Sequence, residues 1–181
     1  MFEEFKYKMK LPKFNKLWSN AKRSIFRLES LPKYRIAYDL KNFEKFKKGK
    51  KYLSQKETNW FKRIKRAKNK NIKIQRVRIF SYPISAYLRY EIDFWRHSAK
   101  FGEEILFLES KKYKKIKHHL KIKPKDFWLF DNKNLILFHY DKEWIWLKEE
   151  AVLKKVVIEK YSKLRNELIK NSVTMEKMKL Y

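Results

Sequence analysis

The chain contains no cysteine. Disulfides, thiolate zinc sites and cysteine nucleophiles are therefore excluded. Glycine is almost missing, with 2 in 181 residues, and there are only 4 prolines. Long flexible linkers are not expected from such a composition. No apolar run approaches the roughly 18 residues of a membrane span. The opening stretch MFEEFKYKMKLPKF lacks the apolar core of a secretory signal. A cytoplasmic protein with no membrane partner is the expectation. There is no Gly-x-Gly-x-x-Gly or P-loop pattern. His97, His118, His119 and His139 have no carboxylates at metal-ligand spacing. Neither a cofactor nor a metal is expected.

Acidic residues are the other scarcity: 20 against 48 basic ones, for a formal net charge of +28. Such a charge attracts phosphate backbones and makes binding depend on salt, so DNA or RNA is a candidate partner. The competing reading is compositional bias, because Lys, Asn, Ile, Phe and Tyr are all abundant, as in an AT-rich genome. Hydrophobic residues at 44% and aromatics at 17% supply ample core material. The length suits one domain, or one domain with a helical extension.

Apolar spacing predicts a helix over 13–29, carried by Phe14, Leu17, Trp18, Ala21, Ile25 and Leu28, with a break at Pro32. Ser54 followed by Glu57 is a capping box. The helix it opens has Trp60, Phe61, Ile64 and Ala67 on one side. Lys62, Arg63, Lys65 and Arg66 form a basic face, suited to phosphates or simply to solvent. IKIQRVRIF (72–80) reads as a strand. Pro83 fits a first helical turn, and Ile84, Tyr87, Leu88, Glu91, Ile92 and Trp95 follow at helical spacing. EILFLES reads as a buried strand and KKYKKIKHHLKIKPK as a basic connection. FWLF, LILFHY and EWIWL read as three hairpin-linked strands. A last helix is predicted over 149–171, with Leu153, Val156, Val157, Tyr161, Leu164 and Leu168 on one face, before a frayed tail TMEKMKLY. The fold class is α/β, with α+β as the alternative: a mixed sheet of about five strands with flanking helices and an N-terminal helical region. The division expected is an N-terminal helical region at 1–70 and a mixed α/β domain at 71–181, one compact unit overall.

His119, Lys121 and Asp126 match H-x-K-x-x-x-x-D, the phospholipase D pattern of a histidine nucleophile, a phosphate-gripping lysine and an orienting carboxylate. In that superfamily the residues between lysine and aspartate form a buried apolar strand. Here they are Ile122, Lys123, Pro124 and Lys125, which do not make one. No second copy of the pattern occurs, so catalysis of this kind is the lesser reading and no catalytic residue is assigned. Arg76 and Arg78, two apart on a strand, share a face. With Arg89 they are the candidates for an anion pocket. The alternative is an ion-pair network with Glu91 that fixes helix on sheet.

FRLESLPKY (26–34), QRVRIFSYPISAYLRYEI (75–92), FGEEILFLE (101–109) and DFWLFDNKNLILFHYD (126–141) together resemble a family of bacterial domains of unknown function. The likeness runs over about residues 14–170. Its polar positions fall on Arg27, Glu29, Glu91, Glu103, Asp126, Asp131 and Asp141, besides Arg76, Arg78 and Arg89. Separately, the order strand, helix, strand and then FWLFDNKNLILF as an aspartate-tipped hairpin resembles one half of the phospholipase D fold without its nucleophile, which implies a non-catalytic regulatory or binding module. The family resemblance implies a small helix-turn-helix regulator as a possible protein partner, to which exposed Trp144 and Trp146 would be presented. Members of that family are acidic or neutral, and the positive charge of this chain departs from them.

Overall fold

Strand β1, Ser24–Glu29, runs through the middle of a mixed sheet of seven strands among the described residues. The structure, a computed structural model, describes residues 11–178. The sequence expectations for the N-terminus before residue 11 and for the chain end at 179–181 lie outside the described residues. On one side of β1 lies β2, Lys73–Phe80, which pairs with it in parallel, Ser24 beside Lys73 and Glu29 beside Arg78. On the other lies β4, Phe127–Phe130, antiparallel, with Ile25 opposite Phe130. Beyond β2 come β3, Glu103–Glu109, parallel, and the short β7, Val173–Thr174. Beyond β4 come β5, Asn134–Tyr140, and the edge strand β6, Trp146–Val152. The spatial order is β6-β5-β4-β1-β2-β3-β7.

Each face of the sheet has its own core. Phe26, Leu28, Val77, Leu106, Phe127 and Leu129 pack beneath α5, Ser110–His119, and α6, Lys155–Asn171. The opposite face carries Ile25, Ile74, Trp128, Phe130 and Ile136 against α1, Leu11–Asn20, and α3, Gln55–Asn69. It continues under α4, Ala86–Lys100, and α2, Ala37–Lys47. The capping box at α3 is formed: the Ser54 side chain accepts from Lys56 N, and Glu57 reaches back to Ser54 N at 2.8 Å.

The mixed α/β class agrees with the sequence, and the differences have physical reasons. The helix expected over 13–29 ends at Asn20, and its second half is β1. A strand buried on both faces shows no alternation. Ile25 and Leu28 therefore extend the helical spacing of α1 by coincidence, although they face opposite cores. The residues before 70 thus supply the central strand as well as helices. The basic connection is a helix, α5, because Tyr113 and Ile116 enter the core one turn apart. The third hairpin strand starts three residues later than expected and runs to Val152, so the last helix begins at Lys155. Its core stripe is Ile158, Tyr161, Leu164 and Leu168, whereas Leu153 and Val156 are exposed. Pro83 lies outside α4, whose first turn is capped instead by the Ser85 side chain accepting from Leu88 N at 3.1 Å. The tail is docked as far as Met178: Val173 pairs with Phe107, and Met178 is buried.

Candidate functional site

Arg27 and Glu29 alternate with Phe26 and Leu28 along β1 and therefore face the helices α2 to α4. Arg76 and Arg78 do the same on β2. A chain of contacts results. Arg76 Nε donates to Glu103 Oε1 at 2.8 Å, and Arg76 Nη1 donates to Glu29. Arg27 Nε lies 3.4 Å from the same Glu29 oxygen, and its Nη2 lies 4.0 Å from Asp126. Arg78, 1% exposed, donates to Glu91 Oε2 at 3.0 and 2.8 Å and to the carbonyls of Leu31 and Pro32. Asp126 accepts from Ser30 N at 2.9 Å, from the Ser30 hydroxyl at 2.6 Å and from the Tyr34 hydroxyl.

Three guanidiniums here meet four carboxyl groups, those of Glu29, Glu91, Glu103 and Asp126. Arg76 and Arg78 spend their donors on the chain itself. Arg89 is exposed on the outer side of α4 and does not join them. Burial raises Glu91 to about 8 in spite of the Arg78 guanidinium. It also raises Asp126, against the pull of Arg27. Glu29 goes the other way: burial raises it, but Arg76, Arg27 and Arg78 outweigh that and hold it below the ordinary carboxylate value.

Of this cluster, Arg27, Glu29, Arg76 and Glu91 form the floor of a cleft of about 450 Å³ between the sheet and α2 to α4. Trp60, Tyr87, Tyr90 and Trp95 form the helical wall, and Trp128, Phe138, Tyr140 and Trp146 the sheet wall. Asp39 and Asn42 approach from α2. Asp39 accepts from Tyr90 at 2.8 Å and from Tyr87, and burial raises its carboxyl. The sequence did not reveal this α2 contribution, because residues 30–53 have no clear periodicity. Their density of aromatic residues was the available signal.

The remaining family-pattern residues are turn caps elsewhere. Asp131, at the β4–β5 turn, accepts from the backbone N–H groups of Lys22, Arg23 and Ser24, each at 2.8 Å. Asp141 accepts from Glu143 N and Ile145 N at 2.8 and 2.9 Å in the β5–β6 turn. The H-x-K-x-x-x-x-D residues do not converge: His119 and Lys121 are exposed, whereas Asp126 is buried and bonded to Ser30 and Tyr34. Trp144 is exposed, and Trp146 lines the cleft.

Exposed lysines are spread widely over the described residues, among them Lys47, Lys48, Lys50 and Lys51 at and after the end of α2 and Lys155, Lys160, Lys163 and Lys170 on α6; two further stretches are α3 and α5. On α3, Lys62, Lys65 and Arg66 are exposed. Arg63 instead folds back over Trp18, 4.5 Å from its ring, and donates to Asn15 at 2.9 Å. The denser surface is the outer side of α5 and the segment after it. Lys111, Lys112, Lys114 and Lys115 are exposed there, followed by Lys121, Lys123 and Lys125. Among the described residues, no carboxylate oxygen lies within 4.0 Å of these ammonium groups. No group of histidine and carboxylate side chains able to hold a metal occurs among the described residues. No described helix is long and apolar enough to cross a membrane.

A mixed sheet covered on both faces, with a charged aromatic cleft on one and a basic ridge on the other, defines a small α/β domain. The chain belongs to the family described as "Domain of unknown function (DUF6879)", whose model matches residues 12–179. Its fold is similar to a chain of TrmBL2, an archaeal chromatin protein whose structure is described as showing a novel mode of DNA binding. That likeness has a TM-score of 0.49 and 9% identity and covers 91% of this chain and 50% of the other. The chain thus spans about half the length of that protein. No curated protein matches the sequence.

Proposed function

We propose that the protein is a non-catalytic binding module that contacts nucleic acid through the outer side of α5 and the segment that follows it. The supporting observation is the ridge itself: eight lysines between residues 111 and 125 with no acidic residue among them. Ammonium groups without a carboxylate partner are the ones that phosphates can neutralise, with release of counterions. Arg76, Arg78 and Arg89 are the lesser candidates for an anion contact, since the first two already face carboxylates. We read the outline as a phospholipase D-like half domain without a nucleophile. The order β2-α4-β3 followed by the β4–β5 hairpin supports this, as does the separation of His119 from Asp126.

The test is a gel-shift titration with duplex DNA and single-stranded RNA at several salt concentrations. Wild type should bind with a steep salt slope. Replacing Lys111, Lys112, Lys114 and Lys115 by Gln should flatten that slope by about 3 to 4, at roughly 0.9 per lost phosphate contact. A control replaces Lys62, Lys65 and Arg66 on α3 by Gln and should change little. Absence of binding at about 50 mM salt, or equal weakening per charge on both helices, would overturn the proposal.

A second reading, docking of a small regulator protein, rests on β6. It is an open sheet edge, and Leu147 on it and Leu153 just after it are 59% and 88% exposed. Leu147→Lys should abolish co-purification with such a regulator, and retention by the variant would exclude this edge.

A further inference from the structure

We infer that the cleft between the sheet and helices α2 to α4 is a binding site for a neutral, planar heteroaromatic ligand of the nucleobase type, gripped by Arg27 and Glu29. This site is on the opposite face of the sheet from the α5 ridge and does not depend on it. Two buried polar atoms have no partner there: Arg27 Nη1, a donor, and Glu29 Oε2, an acceptor. Both residues line the cleft, and the Arg27 side chain is only 7% exposed. Buried polar groups are nearly always satisfied, so such a pair calls for an occupant.

The arrangement of the pair selects the occupant's chemistry. Arg27 and Glu29 lie two apart on one strand and point to the same side. Arg27 Nε is 3.4 Å from Glu29 Oε1, which holds the two heads side by side. An adjacent donor and acceptor complement the edge of a base, where a ring nitrogen or carbonyl stands next to an N–H. Glu29 stays ionised under the influence of three guanidiniums, so it accepts and does not donate. The walls suit a flat ring. Trp60, Trp128 and Trp146 border the same space, and the Arg27 guanidinium already stacks on Phe138 at 4.4 Å from its centroid. A net charge on the ligand is disfavoured in either sense: an anion would face Glu29, Asp39 and Glu57, and a cation would face Arg27, Arg76 and Lys56. The cleft's 450 Å³ lies within the roughly 300–1,000 Å³ usual for small-molecule sites.

Isothermal titration calorimetry tests the inference with adenosine, guanosine, cytidine and uridine, together with a short single strand, glucose and inorganic phosphate. Saturable heat with at least one nucleoside is expected. Tighter binding of the nucleoside identifies a free ligand. Tighter binding of the strand identifies an unpaired base as the source of the same chemistry. Ile36→Trp should narrow the cleft without touching the ion pairs, weakening binding by at least about tenfold at an unchanged melting temperature. Glu29→Gln turns an acceptor into a mixed donor and acceptor and should reorder the preference among the four bases. No saturable heat with any nucleoside or the strand at millimolar concentration would overturn the inference. So would undiminished binding by a folded Ile36→Trp protein, or binding of glucose or phosphate without any nucleoside.

Discussion

Removing the Asp131 carboxylate should cost the fold about 3 kcal/mol. This side chain fastens the β4–β5 turn to the start of β1 through three backbone N–H groups, each at 2.8 Å. Hydrogen bonds to a charged acceptor contribute about 1.5–3 kcal/mol each, and the exposure of Lys22 and Arg23 places these at or below the lower end. The backbone must be kept separate from the carboxylate, because Asp131 has φ +52. Alanine there would add a left-handed penalty of about 1–2 kcal/mol. Asp131→Gly is therefore the cleaner variant. For a chain of this size 1 kcal/mol moves the melting temperature by about 2–4 °C, so a loss of roughly 6–12 °C is expected by calorimetry. Asp131→Asn, which keeps one acceptor oxygen, should fall between. The pH dependence has a definite sign. Burial, the largest single influence, raises the Asp131 carboxyl, but the N–H groups of Ser24, Lys22 and Arg23 together outweigh it and hold it below its ordinary 3.8. Its contribution is complete above pH 3.8 and is lost as pH falls through the lower folded value, so the gap to the Gly variant should close in acid. A Gly variant melting within about 2 °C of wild type would refute the role given to this carboxylate.

Glu91 titrates in the opposite sense. Its folded value of about 8 lies above the ordinary 4.5, so its neutral form favours the folded state. That contribution is full below 4.5 and fades as pH rises towards 8. Urea midpoints of Glu91→Gln at about pH 6 and about pH 9 should therefore differ less than those of wild type, and an unchanged difference would count against burial as the cause. Gly102 has φ +114, and a Cβ there would also crowd the Lys68 stem, at 2.4 Å from Cδ, 3.0 Å from Cγ and 3.1 Å from Cβ. Gly102→Ala should cost about 1–3 kcal/mol from backbone strain, and a thermal melt within error of wild type would exclude it.

Much of the sheet could be read from the chain. β2, β3, β4 and β5 coincide with apolar runs whose bounds are marked by turn residues such as Asp131-Asn132-Lys133. β1 was hidden because both its faces are buried, and a strand of that kind looks the same as two turns of apolar helix. α5 was hidden by charge: its core side is only Tyr113 and Ile116, set in a run of lysines. The charged cluster was partly legible, since Arg76, Arg78 and Glu91 stood out as polar residues in apolar elements. Their partners Glu29 and Glu103 come from other strands, and only the register of β1, β2 and β3 brings them together. The cleft was not legible at all, because its walls come from α2 to α4, β1, β2 and β4 to β6, and no local pattern records that convergence.

The position of β1 has a consequence for how the chain reaches its fold. Among the described residues it is the only seam between the parallel half, β2-β3, and the antiparallel half, β4-β5-β6. Its six residues leave the ribosome ahead of the other strands of the sheet, yet their antiparallel neighbour lies about a hundred residues later, with Ile25 awaiting Phe130. Until β4 is made, the strand therefore stays without one of its neighbours. Such late long-range pairing is slow and leaves the nascent chain open to aggregation. A fragment starting after residue 70 would lack the seam and carry two raw edges, on β2 and on β4. Expression trials with such a fragment should give insoluble material, and adding residues 24–29 back in trans would be expected to act as a missing strand.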